Sequence, residues 1–244
     1  ARLNYIVEEL KKDSGSFRDM EVRPRDRRRV MRSLMNIRMP GPLPAGFLEI
    51  QDEFLREEAR EKGIVSLADI PTVKEQYGSG VLFGDRISIW QGDITRLQAD
   101  AIVNAANSGM TGCYIPCHGC IDNAIHSAAG LQLRDECHQI MQAQGHPEPT
   151  GRAKLTKGYN LPARYILHTV GPIVQSHVTR QAREGLASCY RSCLELAAAH
   201  GLESVAFCCI STGEFHFPNQ EAAEIAVKAV KDFLRADSIA ETGP

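Results

Sequence analysis

The stretch Ala101-Ile102-Val103-Asn104-Ala105-Ala106-Asn107-Ser108-Gly109-Met110-Thr111-Gly112-Cys113 decides the fold. It opens as a short apolar run of the kind that forms a strand covered on both faces, then passes into small residues and carboxamides that cannot continue it. Three other runs read the same way: Ile87-Ser88-Ile89-Trp90, Tyr165-Ile166-Leu167 and Val205-Ala206-Phe207-Cys208-Cys209-Ile210. Around them, residues 122–129, 131–144, 179–200 and 219–235 carry helical patterns, with Gly201 closing the third and Pro218-Asn219 opening the fourth. Strands alternating with helices predict an α/β fold, a mainly parallel sheet with helices on both faces. Ligands of such sheets bind beyond the carboxyl ends of the strands, so the loops after residues 103 and 210 are the ones to inspect.

Outward from this core, the composition sets bounds. The chain has 244 residues, 43% hydrophobic and 24% charged, with a formal net charge of −2. That is enough apolar material for a real core. The near-neutral balance argues against a bulk electrostatic nucleic-acid partner, and the apolar runs are too short for a membrane span. Ala1-Arg2-Leu3-Asn4 has no signal-peptide pattern. All eight cysteines and all eight histidines lie beyond residue 112, which suits reduced thiols in a cytoplasmic setting rather than a secreted disulfide scaffold.

The first 80 residues read as a helical N-terminal extension, and residues 81–244 as the α/β domain. Leu3, Ile6, Val7 and Leu10 follow helical spacing, as do Val30, Leu34 and Met35; Pro40, Pro42 and Pro44 break the chain before a charged amphipathic helix over 47–62. The run Arg25-Asp26-Arg27-Arg28-Arg29 reads as a solvated helix face, and nothing in this segment looks catalytic.

The chemistry sits after residue 103. Asn104 and Asn107, among small residues, suit either ribose hydroxyls or an Asx turn that caps itself. Cys113, Cys117, His118 and Cys120 put four soft ligands within eight residues, suited to Zn²⁺, without zinc-finger spacing. Three ligands with one open position is the catalytic arrangement; free thiols beside a satisfied histidine is the alternative. Asp122 and Asn123 stand where a helix begins, so Asp122 either caps that helix or shares its N-terminus with a phosphate. His126, one turn on, reads as a buried, hydrogen-bonded histidine. The loop Ser211-Thr212-Gly213-Glu214-Phe215-His216-Phe217 offers a second phosphate cradle, with Phe215 and Phe217 placed to stack on or shield a ribose or base.

Taken in order, Gln91-Gly92-Asp93-Ile94-Thr95, residues 101–107, Ile121-Asp122-Asn123-Ala124-Ile125-His126-Ser127-Ala128-Ala129-Gly130, Thr169-Val170-Gly171-Pro172 and Ile210-Ser211-Thr212-Gly213 resemble a macrodomain, the ADP-ribose-binding fold. The resemblance covers about residues 81–236. It implies a three-layer α/β/α domain with a mixed, mainly parallel central sheet. The Cys-x4-His-x-Cys insertion at Cys113, His118 and Cys120, with the helical extension, resembles the microbial zinc-dependent macrodomains, which are protein-ADP-ribose hydrolases. Some members of that group are encoded beside a sirtuin-type ADP-ribosyltransferase that modifies a lipoylated carrier protein.

By that resemblance, Asp93 and Ile94 hold the adenine end of ADP-ribose, and Asn107 faces the distal ribose. Cys113, His118 and Cys120 bind zinc, with Cys117 a bystander. Cys120, Ile121, Asp122 and Asn123 meet the diphosphate and distal ribose, and Ser211, Thr212, Gly213, Glu214 and Phe215 form the second phosphate loop. His216 departs from the Gly or basic residue of many macrodomains. The implied activity is removal of mono-ADP-ribose from a protein side chain, with Asn107 and Asp122 as catalytic residues; a reader that binds without turnover is the alternative.

Overall fold

The computed structural model describes residues 1–241, the side chains of the last four excepted. Three helices come first, α1 (Arg2–Ser14), α2 (Arg27–Ile37) and α3 (Phe47–Lys62). Then follow β1 (Val65–Ser66), α4 (Val73–Tyr77), β2 (Leu97–Gln98) and β3 (Ala101–Ala105). The remaining elements are α5 (Ile121–Ala129), α6 (Leu131–Gln144), β4 (Ala153–Lys157), β5 (Tyr165–Thr169), α7 (Arg180–Ala199), β6 (Val205–Ala206) and α8 (Asn219–Glu241). The main sheet runs β4-β5-β3-β6; β3 is parallel to both neighbours, and β4 is antiparallel to β5 at the edge.

The pleat explains the layers. Successive strand residues face opposite sides, so Ala101, Val103 and Leu167 point to one face and Ile102 and Ile166 to the other. The first set packs on Leu186, Cys189, Tyr190 and Cys193 of α7 and on Ala222 of α8. The second packs on Ile125 and Ala129 of α5 and on Leu133 and Cys137 of α6. This is the three-layer α/β fold with a mixed sheet. A third apolar cluster joins α1, α2 and α3 through Ile6, Leu10, Met31, Leu34, Phe47 and Leu55, and Leu131 at the start of α6 closes it. The expected limit at residue 80 is crossed by the parallel pair β1–β2.

Two local expectations change. Residues 87–90 form no strand: a single bridge joins Ser88 to Thr72, and Ile89 is exposed. The apolar composition there finds no ladder partner beyond that bridge, so no strand forms. Conversely, β4 carries no strand signal in the sequence, because Ala153-Lys154-Leu155-Thr156-Lys157 mixes charge with apolar residues, as an edge strand does. Only Val205 and Ala206 of the last run pair as a strand, and the chain then leaves the sheet toward the 211–217 loop.

Candidate functional site

The loop after β3 folds over the N-terminus of α5. Asn107 forms the self-capping turn: its Oδ1 accepts from Gly109 N at 3.0 Å, and its Nδ2 donates to Gly112 O at 3.1 Å and lies 3.5 Å from Asp122 Oδ2. Gly112 has φ +91, and a Cβ there would stand 2.9 Å from the His126 ring and 3.1 Å from the Arg134 guanidinium. Only glycine threads that gap.

Cys120, not Asp122, caps α5: its Sγ accepts from Asn123 N at 3.4 Å. Asp122 turns inward instead. It is almost fully buried, and its Oδ1 accepts from Asn104 Nδ2 at 2.8 Å. Burial pushes its carboxyl up to about 6, against the lowering pull of the Asn104 amide and the Arg134 charge. The Asn104 amide also reaches His168 Nδ1 at 3.1 Å. Because the amide nitrogen must face the Asp122 carboxylate, His168 Nδ1 is the acceptor, and its Nε2–H donates to Thr156 Oγ1 at 2.9 Å.

His126 is buried as expected but not hydrogen-bonded: neither ring nitrogen has a partner. Its Nε2 lies 3.6 Å from Asp122 Oδ1, too far for a hydrogen bond, and burial holds the imidazole neutral, so the contact is no ion pair.

Cys113 Sγ, His118 and Cys120 Sγ offer ligand atoms that all lie within 4.8 Å of one another, and Cys113 Sγ is 3.7 Å from His118 Nδ1. Tetrahedral zinc with bonds of 2.0–2.3 Å sets its ligand atoms about 3.5 Å apart, so two thiols and an imidazole at this spacing fit that ion. Burial raises the Cys120 thiol to about 11, partly offset by the Asn123 N–H, so a cation is what would make it a thiolate. Cys117 faces elsewhere. At φ +52 its Sγ donates to Arg29 O at 3.4 Å and lies 3.2 Å from Ser33 Oγ, both in α2. His126, Cys137 and His168 form a second group at ligand distance, but the protonated Nε2 of His168 is committed to Thr156.

The 211–217 loop approaches from the other side of the sheet edge. Glu214 Oε1 comes 3.6 Å from His118 Nε2, so this loop and the cysteine loop meet. Ser211 is buried at φ +64, and a Cβ on Gly171 would stand 2.0 Å from its Oγ. Thr212 Oγ1 donates to Cys209 O, Gly213 opens to free space, and Phe215 is half-buried, its carbonyl accepting from Val174 N. Phe217 cannot shield a ligand: it is a fully buried member of the sheet core. Asp93 caps a short 3-10 turn over residues 94–96 with its Oδ1, which accepts from Thr95 N and Oγ1, while Ile94 packs in the cluster of Ile125 and Ala129.

Sequence reading missed the residues that brace the cysteine loop. Arg32 of α2 donates to Asn123 Oδ1 at 2.7 and 3.0 Å and to His118 O at 3.3 Å. Asn36 accepts from Cys117 N at 2.8 Å and donates to Ser127 Oγ at 3.0 Å. The N-terminal segment that looked remote from chemistry therefore touches the site directly. Its arginine run is only partly a solvated face, since Arg28 pairs with Glu58 of α3. The only local signal was the helical spacing that turned α2 inward.

Comparison with known proteins shows the family. The Macro domain family profile matches residues 103–226. A protein of Treponema medium named protein-ADP-ribose hydrolase is 51% identical over 94% of this chain and 86% of its own length. One of the same name from Staphylococcus aureus strain MSSA476 is 45% identical over 96% of this chain and 86% of its own. The solved Trypanosoma brucei macrodomain in complex with ADP-ribose superposes with a TM-score of 0.62 at 32% identity, covering 88% of this chain and 86% of that one. With a profile that spans half the chain and relatives this similar along nearly all of it, the chain belongs to the Macro domain family.

Proposed function

We propose that this chain is a zinc-dependent hydrolase that removes mono-ADP-ribose from modified protein side chains. The names of its bacterial relatives support the reaction class. The observation that carries the zinc part is the close set of Cys113, His118 and Cys120 at the start of α5, beside the buried Asp122. Cys113, His118 and Cys120 would hold the zinc ion, which would supply Lewis-acid chemistry at a ribose or ester oxygen or activate a water.

The chain's own groups do the rest. Ile121 and Asp122 N–H, in the first turn of α5, have no acceptor within the helix and can hold a phosphate at its positive end. The 211–215 loop, with Gly213 open, closes on the diphosphate from the opposite side. The second oxygen of Asp93 is left for the adenine amine. Asp122, its Oδ1 fixed by Asn104, presents the other oxygen toward Asn107, where it orients or deprotonates an attacking water. In this reading Asn107, beside that oxygen, holds the distal ribose. A lipoylated carrier protein modified by a sirtuin-type transferase is the substrate to try first, in a cytoplasmic setting.

The test is a turnover assay on mono-ADP-ribosylated protein, paired with metal analysis and repeated with a chelator. One zinc per chain and loss of turnover on chelation are expected. Folded, metal-free protein that still hydrolyses at the full rate removes zinc from the reaction. Zinc-loaded protein that binds ADP-ribose without turnover makes the chain a reader.

A further inference from the structure

Arg134 lies in α6, outside every motif considered above, yet it is 4% exposed and faces no carboxylate at ion-pair distance among the described residues. Its guanidinium is spent on backbone carbonyls from two distant segments. The two N–H groups of Nη1 are shared among Met35 O at 2.9 Å and Asn36 O and Arg38 O at 2.8 Å, at the carboxyl end of α2. Nε donates to Thr111 O at 2.8 Å and Nη2 to Cys113 O at 3.4 Å, at the start of the cysteine loop. The plane lies 4.1 Å over the Tyr114 ring, whose hydroxyl donates to Thr111 Oγ1. A buried cation is costly unless its donors are filled and negative charge is near. Here the helix C-terminus supplies the partial negative charge.

The far end of the same loop is held from α2. Cys117 N–H donates to Asn36, and His118 O accepts from Arg32, which also fixes Asn123. Asn123 Nδ2 in turn donates to Ile115 O at 2.9 Å. The carbonyls of two of the three ligand residues, Cys113 and His118, are thus pinned by arginine side chains, and the third ligand residue is the cap of α5.

We propose that Arg134 and Arg32 are positioning residues for the metal centre, which clamp the cysteine loop to the end of α2 so that Cys113 and His118 are held at ligand spacing before the ion arrives. The inference rests on the zinc reading above and makes the N-terminal helices part of the metal site. A loop without the clamp must be ordered at the moment of binding, and that cost appears as lost metal affinity.

The experiment is a zinc titration of the full chain against a competing chromophoric chelator, on wild type, Arg134→Lys, Arg32→Ala and Val7→Ala. Circular dichroism and melting in chelator report folding. Lys cannot serve five carbonyls in two directions, and Arg32 is half-exposed, so its variant folds even if Arg134→Lys does not. Both arginine variants are expected to bind zinc about 10–100-fold more weakly. Val7→Ala loosens the same helical cluster without touching the loop, and is expected to melt earlier at unchanged zinc affinity. Arg32→Ala binding zinc as tightly as wild type overturns the clamp, as does an equal loss in Val7→Ala. Wild type that binds no zinc overturns the metal reading and the clamp with it, and the wild-type titration alone tells that result apart.

Discussion

Lowering the pH from 7.5 to 5 takes stability from this fold through His168, while the raised carboxyl of Asp122 works in the opposite direction and is common to wild type and a His168 variant. His168 sits on β5 opposite Asn104 of β3 and Lys154 of β4, fully buried. Its two nitrogens are used as in a neutral ring, Nδ1 accepting and Nε2 donating. Burial pushes its pKa down to about 3. In the unfolded chain the imidazole titrates at about 6.5. The unfolded state therefore takes up a proton as the pH falls below 6.5 while the folded state does not, and stability present above that pH is lost on the way down to 3. The slope approaches about 1.4 kcal/mol per pH unit per histidine below pH 6.5, which gives about 2 kcal/mol between pH 7.5 and 5. His126, also held neutral by burial, acts in the same direction.

Urea unfolding followed by the fluorescence of the single tryptophan, Trp90, reads this directly. Chelator in all samples keeps metal linkage out of the comparison. His168→Gln is expected to be less stable than wild type at pH 7.5 but to lose about 2 kcal/mol less on going to pH 5. Parallel pH dependences for the two proteins would refute the reasoning, since His168 would then be protonated in the fold or already shielded in the unfolded chain.

Three further outcomes are expected. Cys117→Ser keeps one zinc per chain by metal analysis, because that thiol faces α2, whereas Cys113→Ser loses the metal. Gly171→Ala brings a Cβ to 2.0 Å from Ser211 Oγ and displaces the 211–217 loop, so calorimetry should show ADP-ribose binding at least about 10-fold weaker with the secondary structure unchanged. Asp93→Ala should weaken ADP-ribose binding by about 1.5–3 kcal/mol, and an unchanged dissociation constant would remove its carboxylate from adenine recognition.

What the sequence discloses about this molecule follows how local each signal is. The amphipathic pattern over 47–62 and the helical pattern over 131–144 coincide with α3 and α6, because helix formation is decided within a few turns. The cysteine spacing is local too, and the fold brings Cys113, His118 and Cys120 together. A strand is different, since it exists only if a partner ladder does: Ile87-Ser88-Ile89-Trp90 has the composition of a strand but finds one bridge, while the polar β4 pairs along its whole length with β5. The same reasoning explains Phe217, whose aromatic ring suggested a ligand until the sheet core claimed it. It also explains why Arg134 stayed hidden. On the α6 pattern it is a charged residue between Leu133 and Cys137, and only the return of α2, almost 100 residues earlier in the chain, turns that position into the inside of the protein. An arginine in that place is stable only while α2 offers its carbonyls and the cysteine loop offers Thr111 and Cys113. The helical extension and the site loop are therefore bound to one another by a charge that neither could bury alone.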